Sequence, residues 1–125
     1  MNATQEYRRN AVMTASPEKL VLMMYDAAIN FSRQARAKME AREVAECGRL
    51  IGRAFNIVSE LRVSLDADAG GPEGRTIASN LDRLYGFAMD GLLRANSRRT
   101  PEGLDEAISI LSTVREGWQG VVAGV

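Results

Sequence analysis

Apolar residues recur every three or four positions along most of the chain, the spacing that places them on one face of an α-helix. The clearest series run over residues 44–65 and 77–95, and a looser one covers residues 104–118. No segment alternates apolar and polar residues with the period of two that a half-buried strand needs. The pattern therefore predicts an all-α protein.

Proline and glycine mark where the predicted helices begin and end. Residues 16–18 (SPE) and 100–102 (TPE) each supply a hydroxyl N-cap, a proline at the first helical position and an acid in the first turn. Residues 66–74 are rich in glycine and acids, which predicts a loop. We place a tight turn near residues 40–43, although neither glycine nor proline marks it.

Four helices with short connections pack as an antiparallel up-and-down four-helix bundle. We predict one domain over residues 1–125, with helices at about residues 17–40, 43–65, 76–96 and 101–117 and an N-terminal lid segment over residues 1–15. A bundle helix buries one apolar stripe against its neighbours. Apolar residues outside that stripe therefore need an explanation of their own.

The first predicted helix has such a surplus. Residues 20–31 read LVLMMYDAAINF, which is apolar except at Asp26 and Asn30. The stripe that we assign to the core comprises Leu20, Met24, Ala27, Ala28, Phe31, Ala35 and Met39. A second stripe of Leu22, Tyr25 and Ile29 remains.

Two interpretations of this second stripe are open. In the first, the bundle has a wide core that covers most of the helix surface. In the second, part of the surface is a groove for a partner's amphipathic helix. The N-terminal segment, with Tyr7, Val12 and Met13 among polar residues, would then cover the groove in the free protein.

The charge balance argues against two classes of partner. Sixteen Lys and Arg match sixteen Asp and Glu, so the long-range attraction that nucleic acid or an anionic membrane exerts on a basic protein is missing. The apolar run is shorter than the ~20 residues that cross a bilayer, which predicts no membrane insertion. The chain has a single cysteine, and its first residues lack a signal-peptide pattern, so we expect a cytoplasmic protein.

Catalytic chemistry finds little support in the residue types. The chain has no histidine, which excludes Ser-His triads and histidine-ligated metal sites. Cys47 lies on a predicted apolar seam, and no phosphate-binding loop motif is present. We therefore predict no enzyme activity, no cofactor and no metal. Asp26 is interpreted either as a partly exposed carboxylate or as a polar contact to a bound peptide.

The residues also carry a family resemblance. Residues 7–29 contain the motif YxxNxVxTASPEKLVxMxYDxAI, which resembles the signature of the FliS flagellar secretion chaperones. NIVxEL at residues 56–61 and NLxxLY at residues 80–85 resemble the second and third helices of that family. Two positions depart from its pattern, because Ala27 replaces a common glycine and Met24 a frequent leucine.

The resemblance implies a type III flagellar export chaperone. In that family a four-helix bundle with a movable N-terminal lid binds the disordered C-terminal region of flagellin, prevents its premature polymerisation and presents it to the cytoplasmic domain of the export gate. The flagellin contacts carried over by the resemblance are Tyr7, Val12, Met13, Leu22, Tyr25, Ile29, Asn56, Leu61 and Tyr85. If Ile29 lies in the groove, Ile29→Asp abolishes flagellin binding.

Three hypotheses follow from the sequence. The first is the export chaperone, as a monomer or weak homodimer. The second is a structural bundle without flagellin binding, whose second stripe pairs with another copy of the chain. The third is a small helical enzyme, which would need buried charged groups that the predicted seams lack.

Overall fold

Four helices account for most of the residues that the structure describes. The computed structural model describes Ala3, Gln5, Arg9, Asn10, residues 15–66, Asp68 and residues 70–123. The helices are α1, Pro17–Glu40; α2, Val44–Val63; α3, Gly71–Arg98; and α4, Glu102–Ala123. The predicted all-α four-helix architecture is confirmed. Most of the predicted lid, residues 1–15, lies outside the described residues.

Helix α1 begins where its capping residues place it. The Ser16 hydroxyl accepts a hydrogen bond from the Lys19 backbone N–H at 3.3 Å, and Pro17 occupies the start of the helix. Glu18 lies in the first turn, where the positive end of the helix dipole stabilises its negative charge. This arrangement satisfies a backbone donor that the helix itself cannot pair.

The turn between α1 and α2 is closed by a Schellman motif. The Arg42 N–H donates to the Met39 carbonyl at 3.1 Å, and the Glu43 N–H donates to the Lys38 carbonyl at 2.9 Å. Arg42 has φ of 59°, the left-handed conformation that this motif requires and that glycine adopts most easily. The turn thus forms without glycine, and the Arg42 backbone adopts a strained left-handed conformation.

Replacing this strained residue is expected to stabilise the bundle. Arg42→Gly removes the Cβ penalty of the left-handed conformation, so we expect the free energy of unfolding to rise by about 0.5–1 kcal/mol. Urea denaturation measures the change. The control is Arg75→Gly within α3, where φ is not positive and glycine should cost about 1 kcal/mol. Equal losses in both variants would contradict the interpretation.

Helix α3 begins five residues earlier than predicted. Its start, Gly71, and the preceding Gly70 have φ of 68° and 78°, which glycine adopts without strain. Pro72 lies in the first turn, where its missing N–H needs no partner. The prediction treated Gly70, Gly71 and Pro72 as loop residues, whereas they start the helix. Helix α4 also extends further than predicted, to Ala123 instead of 117.

The helices form a ring in which each one contacts its two neighbours. Helix α1 packs against α2 and α4, and α3 packs against the same two helices. Consecutive helices therefore run antiparallel, with α1 and α3 on one diagonal and α2 and α4 on the other. The α3 and α4 backbones approach closely where Gly91 faces Gly103.

The inward face of α1 matches the predicted core stripe only at Ala28 and Ala35. Its buried residues are Tyr25, Ala28, Ile29, Ser32 and Ala35. The other residues of the predicted core stripe are only half-buried, namely Leu20, Met24, Ala27, Phe31 and Met39. Met24, Phe31 and Met39 still pack against the edge of the core. The assignment of the two stripes was therefore wrong in phase, because a helix that is apolar on nearly every side can be read in more than one register.

A tyrosine pair spans the α1–α3 diagonal at the centre of the core. Tyr25 and Tyr85 are each 2 % exposed, their ring centroids are 6.3 Å apart, and their hydroxyls hydrogen-bond to each other. Burial raises the pKa of both phenols, so both are neutral over the physiological pH range. Each hydroxyl is thus the partner that allows the other to be buried.

Breaking the tyrosine pair should show strong coupling between its members. Tyr85→Phe leaves the Tyr25 hydroxyl buried without its partner, which costs about 1–3 kcal/mol of stability. The double variant Tyr25→Phe/Tyr85→Phe removes both polar groups and should cost less than the sum of the single variants. Urea denaturation of the three variants gives the coupling. Additive losses would show that the hydroxyls do not depend on each other.

Candidate partner-binding groove

An apolar groove runs along the outer side of α1 and α2. It has a volume of about 840 Å³. Its apolar lining consists of Leu20, Met23, Met24, Ala27, Phe31 and Ile57, and its polar lining of Asp26, Asn30, Gln34 and Glu60. All six apolar residues are half-buried, so their side chains reach the surface even though they pack on the bundle.

The groove exists because α1 carries more apolar surface than its neighbours cover. Small residues, Ala28, Ser32 and Ala35, face inward at the core, while the larger side chains of Met23, Met24 and others lie beside them at the edge. From Leu20 to Gln34 the helix rises about 21 Å, which is about four turns. A groove of this length and chemistry is typical of sites that accept the apolar face of an amphipathic helix.

Two methionines of α1 line the groove and can adapt to partners of different shape. Met23 and Met24 have unbranched, polarisable side chains that adapt to different packing surfaces. Ile57 on α2 lies opposite them and closes the far wall. Met23 and Met24 therefore give the groove a floor whose side chains can adapt to a bound helix.

The rim of the groove is charged. Asp26 forms an ion pair with Arg115 of α4 and is held at one edge. On α2, the Arg53 guanidinium carbon lies 5.1 Å from the centre of the Phe31 ring, within range of a cation–π interaction. Glu60 is exposed and has no ion pair among the described residues.

The structure separates the predicted site residues into three groups. Tyr7, Val12 and Met13 lie outside the described residues. Leu22 is half-buried on α1, and Asn56 is exposed on α2. The buried group consists of Tyr25, Ile29, Leu61 and Tyr85.

The buried group corrects one part of the prediction. Tyr25 and Ile29 were placed on an outward stripe, yet Ile29 is only 4 % exposed and both belong to the core. Leu22, Asn56 and the buried group do not line the groove. Contact between any of these residues and flagellin stays a prediction. The residues that sequence reasoning missed are Met23 and Ile57, whose only signal was their apolar character off the assigned seams.

Two smaller cavities lie elsewhere on the surface of the described residues. One, of about 510 Å³, lies between the α1–α2 turn and the end of α3 and is lined in part by Arg42, Val44 and Arg99. The other, of about 350 Å³, lies between α1 and α4 and is mostly polar, with Arg33 and Arg115 in its lining. Neither offers a continuous apolar floor as long as that of the groove.

The described residues contain no cluster of three or more acidic or cysteine side chains that could hold a metal ion. Cys47 is buried, and burial raises the pKa of its thiol, which lowers its reactivity. No helix in the described part of the chain is both long and apolar enough to span a membrane.

A helical bundle with a preformed apolar groove defines the class of proteins that bind a helix of a partner. Comparison with known proteins identifies the family. The family described as "Flagellar protein FliS" matches residues 1–125. The chain belongs to the FliS family.

Individual relatives are flagellar secretion chaperones. The chain is 34 % identical over 125 residues to flagellar secretion chaperone FliSB of Pseudomonas aeruginosa, covering 97 % of this chain and 96 % of that protein. It is 34 % identical over 113 residues to flagellar secretion chaperone FliS of Salmonella typhimurium, covering 90 % and 81 % of the two chains. The resemblance found in the sequence is thereby confirmed.

A solved structure shares the fold. The crystal structure of a flagellar chaperone from bacteria superposes with a TM-score of 0.78 at 18 % identity, covering 99 % of this chain and 100 % of that one. This likeness supports the four-helix arrangement of the bundle.

Proposed function

We propose that this chain is a flagellar export chaperone that binds the disordered C-terminal region of flagellin in the cytoplasm. It prevents premature polymerisation of flagellin and delivers it to the cytoplasmic domain of the export gate. The observation that carries the proposal is the half-buried apolar groove of α1 and α2 in a chain of the FliS family. The groove supplies apolar area that the free bundle leaves uncovered.

Binding by such a groove needs no chemical energy source. A disordered segment loses conformational entropy when it docks, and the burial of its apolar side chains offsets that loss. Because of this entropy cost, the affinity is lower than the buried area alone would give. The complex can therefore bury a large apolar surface and still release flagellin. While the flagellin segment is bound, its apolar residues are unavailable for polymerisation.

Under this proposal the N-terminal segment, residues 1–15, acts as a lid over the groove. It joins α1 at Ser16, only four residues before Leu20, the first residue of the groove. The Trp118 indole N–H donates to the Glu18 carbonyl at 2.8 Å and fixes the first turn of α1 to α4. The junction therefore stays in place while residues 1–15, with Tyr7, Val12 and Met13, cover the groove or leave it to flagellin.

The predicted contacts divide into two roles under this proposal. Leu22 and Asn56 have accessible side chains, and their contacts with flagellin lie outside the groove. Tyr25, Ile29, Leu61 and Tyr85 support the floor from beneath, since they are buried in the core that positions α1 against α2.

Isothermal titration with circular dichroism tests the proposal. The ligand is a peptide of about forty residues from the C-terminal end of the cognate flagellin, and the control is a scrambled peptide of the same composition. One-to-one binding, a negative heat-capacity change and a gain of helix are expected for the native peptide alone. Absence of binding by a folded monomer would refute the proposal. A stable dimer that ignores the peptide would favour the self-associating bundle.

A further inference from the structure

The groove carries opposite charges at its two ends. Arg53, Ile57 and Glu60 follow one another at three- and four-residue intervals along one face of α2. Because α1 and α2 run antiparallel, Glu60 lies toward the Leu20 end and Arg53 lies toward the other end, over Phe31. The two charges are about 10 Å apart along the helix axis.

Neither of these charges forms an ion pair among the described residues, and Arg53 contacts α1 only through the face of the Phe31 ring. Ion pairs join the facing sides of the other neighbouring helices: Arg36–Asp105 and Arg115–Asp26 join α1 to α4, Arg62–Asp82 joins α2 to α3, and Arg94–Glu106 joins α3 to α4. Between α1 and α2, within the described residues, the corresponding pair is Lys38–Glu43, at the turn and away from the groove. The charges of Glu60 and Arg53 are therefore not neutralised by an ion pair among the described residues.

The ends of the bundle itself carry exposed charges of both signs, so the polarity belongs to the groove alone. A ligand lying along the groove meets the Glu60 carboxylate toward one end and the Arg53 guanidinium toward the other, although the net charge of the chain is zero.

We infer that the groove accepts an amphipathic helix of about four turns. This helix carries positive charge where it faces Glu60 and negative charge where it faces Arg53. This inference rests on the proposed function and assigns the helix to the flagellin C-terminal region. Apolar anchors supply most of the affinity, and the two charges fix which end of the helix faces which end of the bundle. A helix with the opposite charge order meets repulsion at both ends.

A charge-swapped groove tests the inference at constant net charge. Glu60→Lys/Arg53→Glu reverses the polarity of the groove, and titration with the flagellin peptide should show a Kd weakened by about ten-fold. The control is Glu73→Lys/Arg75→Glu, an exposed acid and base of α3 outside the groove, which should leave Kd within about two-fold. Thermal melting by circular dichroism establishes that both double variants are folded.

Salt separates the charge effect from a change in packing. In about 0.5 M NaCl the difference between the wild type and the swapped groove should shrink, because salt screens exposed charges. The neutral variant Glu60→Gln/Arg53→Gln should bind with intermediate affinity. A folded swapped groove that binds as well as the control, or a difference that persists at high salt, would overturn the inference while leaving the proposed function standing.

Other occupants of the groove give different results. If the two charges instead bind the chain's own N-terminal segment, residues 1–15, the swap should leave flagellin binding unchanged or tighten it. Either result overturns the inference. If the charges bind a second copy of the chain, light scattering should detect a wild-type dimer that the swap dissociates. This result also overturns the inference. Failure of the wild-type chain to bind the peptide at all would refute the proposed function, and the inference with it.

Discussion

Ile29→Asp is expected to unfold the bundle at room temperature. Ile29 is 4 % exposed and packs in the central core, so an aspartate there buries a carboxylate without a partner. Such a change costs several kcal/mol, which is comparable to the whole stability of a small domain, about 5–15 kcal/mol. The cooperative thermal transition followed by circular dichroism should be lost or shifted far downward.

Met23→Asp is the matched control for this prediction. It introduces the same charge into the same helix, but Met23 is half-buried in the groove and its new carboxylate can reach water. This variant should remain folded with a loss of about 1 kcal/mol. A folded Ile29→Asp chain that merely fails to bind flagellin would instead favour the alternative in which Ile29 contacts the partner.

Gly103→Ala is expected to separate α3 from α4. A Cβ at Gly103 would overlap the Gly91 carbonyl oxygen and would lie 2.8 Å from the carbonyl carbon and 3.2 Å from the Ala95 nitrogen. These are backbone atoms of a packed helix, so relief requires the two helices to move apart. The cost is about 3 kcal/mol or more, at the upper end of the overpacking range, because no side chain can give way.

Urea denaturation of Gly103→Ala measures this cost, with Gly117→Ala as its control on the same helix. A Cβ at Gly117 meets no atom within 4 Å, so alanine there should stabilise α4 by up to about 1 kcal/mol through its helix propensity. The two substitutions are chemically identical and should have opposite signs. Stabilisation by both would mean that the close approach of α3 and α4 is not a constraint on the fold.

Local sequence signals predicted the ends of several helices correctly because their physics is local. Ser16 and Pro17 start α1 through a cap and a fixed backbone angle, and both act within a single turn. The α1–α2 turn was placed near residues 40–43, although its left-handed residue, Arg42, is a type that gives no turn signal. The early start of α3 was missed because Gly70 and Gly71 suit a loop and a helix entry equally well.

The phase of α1 could not be read from its own residues. A helix that is apolar on most sides admits several stripes, and the correct one depends on what the neighbouring helices supply. Tyr25 is buried because Tyr85, sixty positions away, provides its hydrogen-bond partner across the bundle. Met23 and Ile57 line the groove only because α1 and α2 meet in this register. These contacts are set by tertiary packing, so the spacing of apolar residues along α1 does not predict them.

The central claim is that flagellin docks in the α1–α2 groove. Its most direct test is isothermal titration of the flagellin C-terminal peptide with Met23→Asp/Ile57→Asp, compared with Phe87→Asp. Phe87 is 60 % exposed on α3, outside the groove, and offers the same kind of substitution on another apolar surface.

The groove variant should stay folded and lose affinity by about 100-fold or more, since charged groups replace two anchors at the centre of the interface. The Phe87→Asp variant should bind as the wild type does. The reverse result, in which Phe87→Asp loses the peptide and the groove variant keeps it, would contradict the account and place the flagellin site on the opposite side of the bundle.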